Sequence, residues 1–311
     1  MDWILCLVAG ALAGSLVSMT GSGAGFLLAP GLSLALSFGV FPDADLFKIA
    51  VATTHGANLI TNLAAFQAHA VRRSIDWDAF SRLVPGSIAG AVAGAVLATH
   101  LDTAILELVF IAFAVALSAR LLRRHRKIEP MERPSLAVLV TRSTAMGVLA
   151  ALTGAGGVLP LFLKEYLPAH KVVGTTVAGC LIMSVSAAAT YYAFFTPSAR
   201  CGSDCLGPIF LPGMFTAGIA SSLAAPFGAR LSHALPPVIR RRAFSALLLL
   251  VVANIMVKRG SLIVPASLSA SELVGVVQER PIESGTPPSW IGERAHGSPD
   301  IRYTGVPMRS K

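Results

Sequence analysis

The feature that most constrains this chain is a set of long apolar runs that carry almost no charge. They cover Trp3–Val40, Leu83–Thr99, Ile105–Ala119, Ser143–Leu163, Val172–Phe195, Leu206–Gly228 and Ala243–Val257. A membrane-crossing helix needs about 20 mostly apolar residues, because the hydrocarbon layer is about 30 Å thick. Several runs reach that length, and the core of one globular domain could not absorb them all. Charged residues are only 13% of the 311, where a water-facing domain carries about 25%. In lipid the backbone must satisfy its own hydrogen bonds, which favours helices. The sequence therefore predicts an all-α transmembrane fold in contact with a lipid bilayer.

The net charge of +9 would also suit a nucleic-acid binder, but its placement argues otherwise. The basic residues sit at the ends of apolar runs: Arg72–Arg73, Arg120 to Lys127, Arg240–Arg242 and Lys258–Arg259. That is the pattern of topology signals rather than of a binding stripe, so no nucleic-acid partner is expected. The first apolar run follows Asp2 with no basic segment before it, and it is expected to be retained rather than cleaved as a signal peptide. Cys6 and Cys180 lie in apolar runs as small fillers, while Cys201 and Cys205 share a short loop where a disulfide is open. No neighbouring histidine completes a metal site there, and no metal or cofactor is expected.

Two composition breaks divide the chain. Residues 1–119 form a first transmembrane repeat, 120–135 a basic cytoplasmic connector, 136–259 a second repeat, and 260–311 a disordered Ser-, Pro- and Gly-rich tail. The two halves share an order of motifs. Ala13-Gly14 followed by Gly21, Gly23 and Gly25 corresponds to Met146-Gly147 followed by Gly154, Gly156 and Gly157. Thr53-Thr54 corresponds to Thr175-Thr176, and Pro85-Gly86 to Pro212-Gly213. Internal duplication is a common construction in secondary transporters. With the connector inside, Arg240–Arg242 also falls inside only if Ser143–Leu163 enters and returns on one side. The repeats are then inverted, with about four spans each, and the Cys201–Cys205 loop is external.

The glycine clusters are the first candidate for function. Each glycine costs a helix about 1 kcal/mol relative to alanine. Three within five residues should break it, and a break in lipid survives only inside protein or beside water. Exposed N–H groups there suit an anion and exposed carbonyls a cation. The competing reading is close helix packing through small residues. A second candidate is the polar stretch Thr53, Thr54, His55, Asn58, Asn62 and His69, in which the last four share one helix face. Such a face points to a bundle interior or a watery path, and His55 could carry a proton. His69 can equally be interfacial, and Ser186 and Thr190 can equally bond backbone four residues back. No constellation of an enzyme or an ATPase appears, so catalysis is not expected.

These residues resemble the sulfite exporter TauE/SafE family. The resemblance rests on Gly21 to Pro30, on Ala52-Thr53-Thr54, on His69 to Trp77, and on Leu83 to Gly86 with Gly90 and Gly94. In the second half it rests on Gly154 to Gly157, Gly174 to Thr176 and Gly228 to Leu231. Ala24 stands where the family often has a further glycine, and the step from Gly154 to Pro160 is shorter than from Gly21 to Pro30. The resemblance implies a multi-pass carrier of about eight spans in the bacterial plasma membrane. It implies export of a small anion, a sulfur oxyanion or organosulfonate, driven by a coupled proton or cation. The substrate-binding set expected is Gly21, Gly23, Gly25, Thr53, Thr54, His55, Asn58, Gly154, Gly156, Gly157, Thr175 and Thr176. The alternative is a channel-like protein or a non-transport assembly or sensor protein, and a homo-oligomer stays open.

Overall fold

The computed structural model describes residues 2–20, 25–37, 45–122, 134–154, 159–196 and 204–263. Among the described residues ten helices run in chain order as α1 (Asp2–Thr20), α2 (Gly25–Leu36), α3 (Leu46–Val71), α4 (Trp77–His100), α5 (Thr103–Leu122), α6 (Leu136–Thr153), α7 (Leu159–Leu163), α8 (Ala169–Phe194), α9 (Leu211–Ala234) and α10 (Pro237–Ile263). A small addition to the all-helical expectation is an antiparallel hairpin, β1 (Cys205–Leu206) with β2 (Ile209–Phe210), just ahead of α9. Cys205 is disulfide-bonded there, while Cys201 lies outside the described residues.

Four of the described helices are long and apolar enough to cross a membrane: 77–100, 103–122, 136–153 and 170–194. Their outward faces suit lipid. Leu108, Leu223 and Phe227 are all more than half exposed, as apolar side chains against hydrocarbon should be. Polar groups instead turn inward. Lys48, Thr53, Thr54, His55 and Asn58 of α3 are buried, as are Ser143, Thr153, Thr175 and Thr176. A lipid solvent selects this inward turn of polar groups within an otherwise apolar core, because the inside is where a polar side chain finds partners.

Backbone-to-backbone approach holds the helices together. Gly10 and Gly14 of α1 lie on the backbone of Ala217 and Ser221 of α9, and Gly228 lies on Ser15. Gly86, Gly90 and Gly94 of α4 lie on Val140, Thr144 and Val148 of α6, and Gly147 returns the contact on Ser87 and Ala91. Both pairs advance in the same sense along the chain, so α1 is parallel to α9 and α4 to α6. Between lipid-facing helices there is little hydrophobic gain, so this van der Waals fit carries the association.

The ends of the bundle can be sorted by their ion pairs. Lys171 at the start of α8 reaches Asp76 at the start of α4, Nζ to Oδ2 3.3 Å. Arg142 of α6 reaches Glu165 just after α7, 2.8 Å. Partial burial, then Arg241 and Arg240, hold the Lys164 ammonium below the ordinary lysine range. The 72–76 turn, the segment after α7 and the start of α10 therefore share one end, with Arg72, Arg73 and Arg240–Arg242 all there. Helices α6 and α8 both begin at this basic end, so the chain between them goes up and comes back. At the opposite end the Lys48 ammonium donates to the Thr99 carbonyl, 3.3 Å, and lies 5.5 Å over the Phe195 ring.

A side chain at Gly90 has no room. Gly90→Leu is expected to destabilise the folded protein by about 1–3 kcal/mol through overpacking, read as a lower melting temperature in detergent. Gly90→Ala should fall between the two. Equal melting of Gly90→Leu and the parent would refute the backbone contact with Thr144.

Candidate functional site

Helix α6 stops inside the protein. Its last residue is followed by Gly154 in the left-handed conformation, φ 73°, and the Gly154 N–H closes the helix on the Ala150 carbonyl. Glycine alone takes that conformation without strain, and here a Cβ would also press on Thr54 and Ala29 of α2, at 3.0 and 3.2 Å. A terminated helix leaves carbonyls without helical partners. Two neighbours supply donors. Asn58 Nδ2 of α3 donates to the Gly154 oxygen, 3.1 Å. The Tyr191 hydroxyl of α8 donates to the Ala151 oxygen, 3.0 Å, and His55 Nε2 faces that same oxygen at 3.3 Å. The His55 and Tyr191 rings stack, centroids 6.0 Å apart and planes 27° apart.

Thr54, His55, Asn58 and Gly154 thus form one buried constellation on α3 and α6. Two of its polar atoms have no hydrogen-bond partner among the described residues: Thr54 Oγ1 and His55 Nδ1. Both residues are essentially inaccessible, at 0% and 1% exposure. An orphaned polar atom so deep is costly.

The other threonines of the expected set are not brought to this place. The Thr53 hydroxyl accepts the backbone N–H of Phe210, 3.0 Å, at the residue that caps α9. The Thr175 hydroxyl accepts the backbone N–H of Asp76, 2.9 Å, at the residue that caps α4. The Thr176 hydroxyl donates to the Val172 carbonyl one turn back, 2.7 Å. Thr175 and Tyr191 are 16 residues apart on α8, about 24 Å along a helix rising 1.5 Å per residue. Thr175 and Thr176 therefore stand toward the basic end, away from His55. Gly25 opens α2. Gly21, Gly23, Gly156 and Gly157 lie outside the described residues. His69 Nδ1 lies 2.8 Å from the Ser74 hydroxyl, beside the 72–76 turn.

Two elements of the arrangement have no counterpart in the candidate set. Tyr191 sits in an apolar run as an aromatic whose hydroxyl needs a partner, and that need was the available signal. Asp76 and Lys171 form a largely buried pair, the Asp76 side chain being 8% exposed. Asp76 also caps α4 by accepting from the Ala79 N–H, 3.0 Å.

Residues 6–255 match the family model described as sulfite exporter TauE/SafE. The chain belongs to the sulfite exporter TauE/SafE family. It is similar to a protein of Haemophilus influenzae named "Probable membrane transporter protein", 24% identical over 260 residues that cover 82% of this chain and 98% of the relative. It is also similar to a protein of Methanocaldococcus jannaschii with the same descriptive name, 25% identical over 193 residues, 60% of this chain and 71% of the relative. No solved structure matches. The TauE/SafE assignment and the apolar helices make this a membrane protein of a transporter family.

The two capping threonines can be separated from the orphaned pair. Thr53→Val and Thr175→Val each leave a backbone N–H unpaired, part-buried at Phe210 and buried at Asp76, so each should cost about 1–3 kcal/mol of stability. The protein that stays folded should keep its solute affinity. A thermal-shift series with and without solute checks both halves. A Thr175→Val protein of normal stability but lost affinity would return Thr175 to the binding set.

Proposed function

We propose that the chain is a secondary transporter that exports a small anion, a sulfur oxyanion or organosulfonate, by alternating access across the bacterial plasma membrane. The observation that carries this reading is the pair of orphaned polar atoms, Thr54 Oγ1 and His55 Nδ1, beside the buried end of α6. A transporter needs a polar place deep within an apolar body that is incomplete until the solute arrives. Family membership supplies the rest of the prior.

The reading includes two inverted repeats, α1–α5 and α6–α10. Their packing is reciprocal: α1 lies along α9 as α6 lies along α4, through glycines in each case. Position by position this pairs the first helix of one half with the fourth of the other. The return of α6–α7 to the basic end supports opposite orientations. Placing that end in the cytoplasm accords with the excess of arginine there. The glycine segments at Gly21, Gly23 and Gly25 and at Gly154, Gly156 and Gly157 would present backbone groups to the charged solute, with a proton or cation as the coupled species.

Alternating access requires contacts between the halves that can break at each end. Lys171 with Asp76 at one end and Thr53 with Phe210 at the other are such contacts. Each joins an element of the first half to one of the second, and each is polar.

Labelled sulfite loaded into proteoliposomes should leave in a saturable, gradient-dependent manner. Gly23→Leu and Gly156→Leu should lower that flux at least about tenfold in protein that elutes as a folded species, an effect of about 1.4 kcal/mol. Intact flux in both variants would remove the glycine segments from the site. Non-saturating flux that ignores the gradient would instead favour a channel.

A further inference from the structure

The contact between His55 and Ala151 fixes more than position. A carbonyl oxygen can only accept, so the Nε2 that faces it at 3.3 Å must be the nitrogen that carries the ring proton. In neutral imidazole the other nitrogen is then a bare acceptor. That nitrogen, Nδ1, is buried and has no partner among the described residues. Tyr191 stacks on the ring, and its hydroxyl donates to the same Ala151 oxygen at 3.0 Å.

Among the described residues the surroundings are without formal charge. Helix α6 presents the Ala151 and Gly154 carbonyls, α8 presents the neutral Tyr191 phenol, α2 presents Ala29, and α3 itself adds Thr54 and Asn58. No ion pair involves His55 among the described residues. Carbonyls at a helix end carry partial negative charge, and the Nδ1 lone pair adds to it. A fully deprotonated dianion meets only one orphaned donor here, the Thr54 hydroxyl. A monoanion that keeps one acid O–H meets both orphaned atoms: its O–H can donate to Nδ1, and one of its anionic oxygens can accept from Thr54.

We propose that the cargo is held as a monoprotonated oxyanion whose acid O–H donates to His55 Nδ1, with Tyr191 as the positioning residue that keeps the ring in the accepting tautomer. This rests on the reading above that the solute reaches this constellation. The proton stays on the cargo oxygen, so no bond is made or broken in the protein. A dianion taken from solution then binds with one proton, and that proton crosses with it. A solute with the same single charge but no acid proton, such as an alkylsulfonate, leaves Nδ1 unpaired and is discriminated against.

The test is calorimetric titration of the full-length protein in lipid nanodiscs with sulfite, above the pH where bisulfite loses its proton. Two buffers of different ionisation heat give the proton count. The expected result is uptake of about one proton per bound sulfite, with methanesulfonate bound at least about tenfold more weakly. His55→Gln keeps an amide N–H for the Ala151 oxygen but places no acceptor at Nδ1. It should fold, bind sulfite at least about tenfold more weakly and lose the proton uptake. Tyr191→Phe should move the pH profile of sulfite binding, which a purely structural role would leave in place. Sulfite binding without proton uptake, or equal affinity for methanesulfonate, overturns the proposal while leaving the site standing. Unchanged sulfite affinity in both His55→Gln and Thr54→Val, or no binding by the parent protein, overturns the site itself and the reading beneath it.

Discussion

Much of this structure depends on how a helix can end inside a membrane protein. The carbonyls left free at the end of α6 have no water to meet, and each would cost several kcal/mol if left bare. Gly154 closes the last turn by taking a left-handed conformation, and α3 and α8 bring Asn58, His55 and Tyr191 to the remaining oxygens. Three helices are locked together by that single requirement. It accounts for the polar residues His55 and Asn58 of α3, which carry donors to that depth beside Tyr191 of α8. It also explains why donors at this place are spent on the protein itself, leaving Thr54 and the far nitrogen of His55 without a partner among the described residues.

The glycines have a second and separate use. Along α4, Gly86, Gly90 and Gly94 repeat every four residues and give up their side chains to the backbone of α6. Along α1, Gly10 and Gly14 do the same against α9. Close packing and helix termination are thus both done with small residues, but by different ones. Gly147 is a packing glycine and Gly154, seven residues on, is a terminating one. The φ of 73° separates the two.

This division shows what the sequence could and could not reveal. The apolar runs and their flanking arginines announce membrane helices because lipid imposes length and charge placement directly. The inward set His55 and Asn58 was legible for the same reason, as polar residues in a span have few places to go. The fates of the threonines were not legible. Thr53, Thr54, Thr175 and Thr176 look alike as two Thr-Thr pairs, yet three of the hydroxyls have protein partners and one does not. What decides is the backbone N–H of Phe210 or Asp76 arriving from more than ninety residues away, and no local pattern encodes that arrival. Tyr191 escaped notice because an aromatic in an apolar run reads as core until its hydroxyl is seen to have a destination.

The two ends of the bundle differ in how firmly they are tied. At the basic end the Asp76 carboxylate is nearly buried and holds both Lys171 and the first turn of α4. At the other end the Thr53 hydroxyl accepts the Phe210 N–H, and the Lys48 ammonium lies over the Phe195 ring. A charged pair that is mostly withdrawn from water resists separation of its partners, since parting them exposes one charge to a poorly solvating surrounding. A neutral hydrogen bond exchanges with water for about 1 kcal/mol. The Asp76–Lys171 pair is therefore the costliest of these contacts to part. The orphaned Thr54 and His55 stand on the half of α3 that begins at the opposite end, nine and ten residues into the helix counted from Leu46.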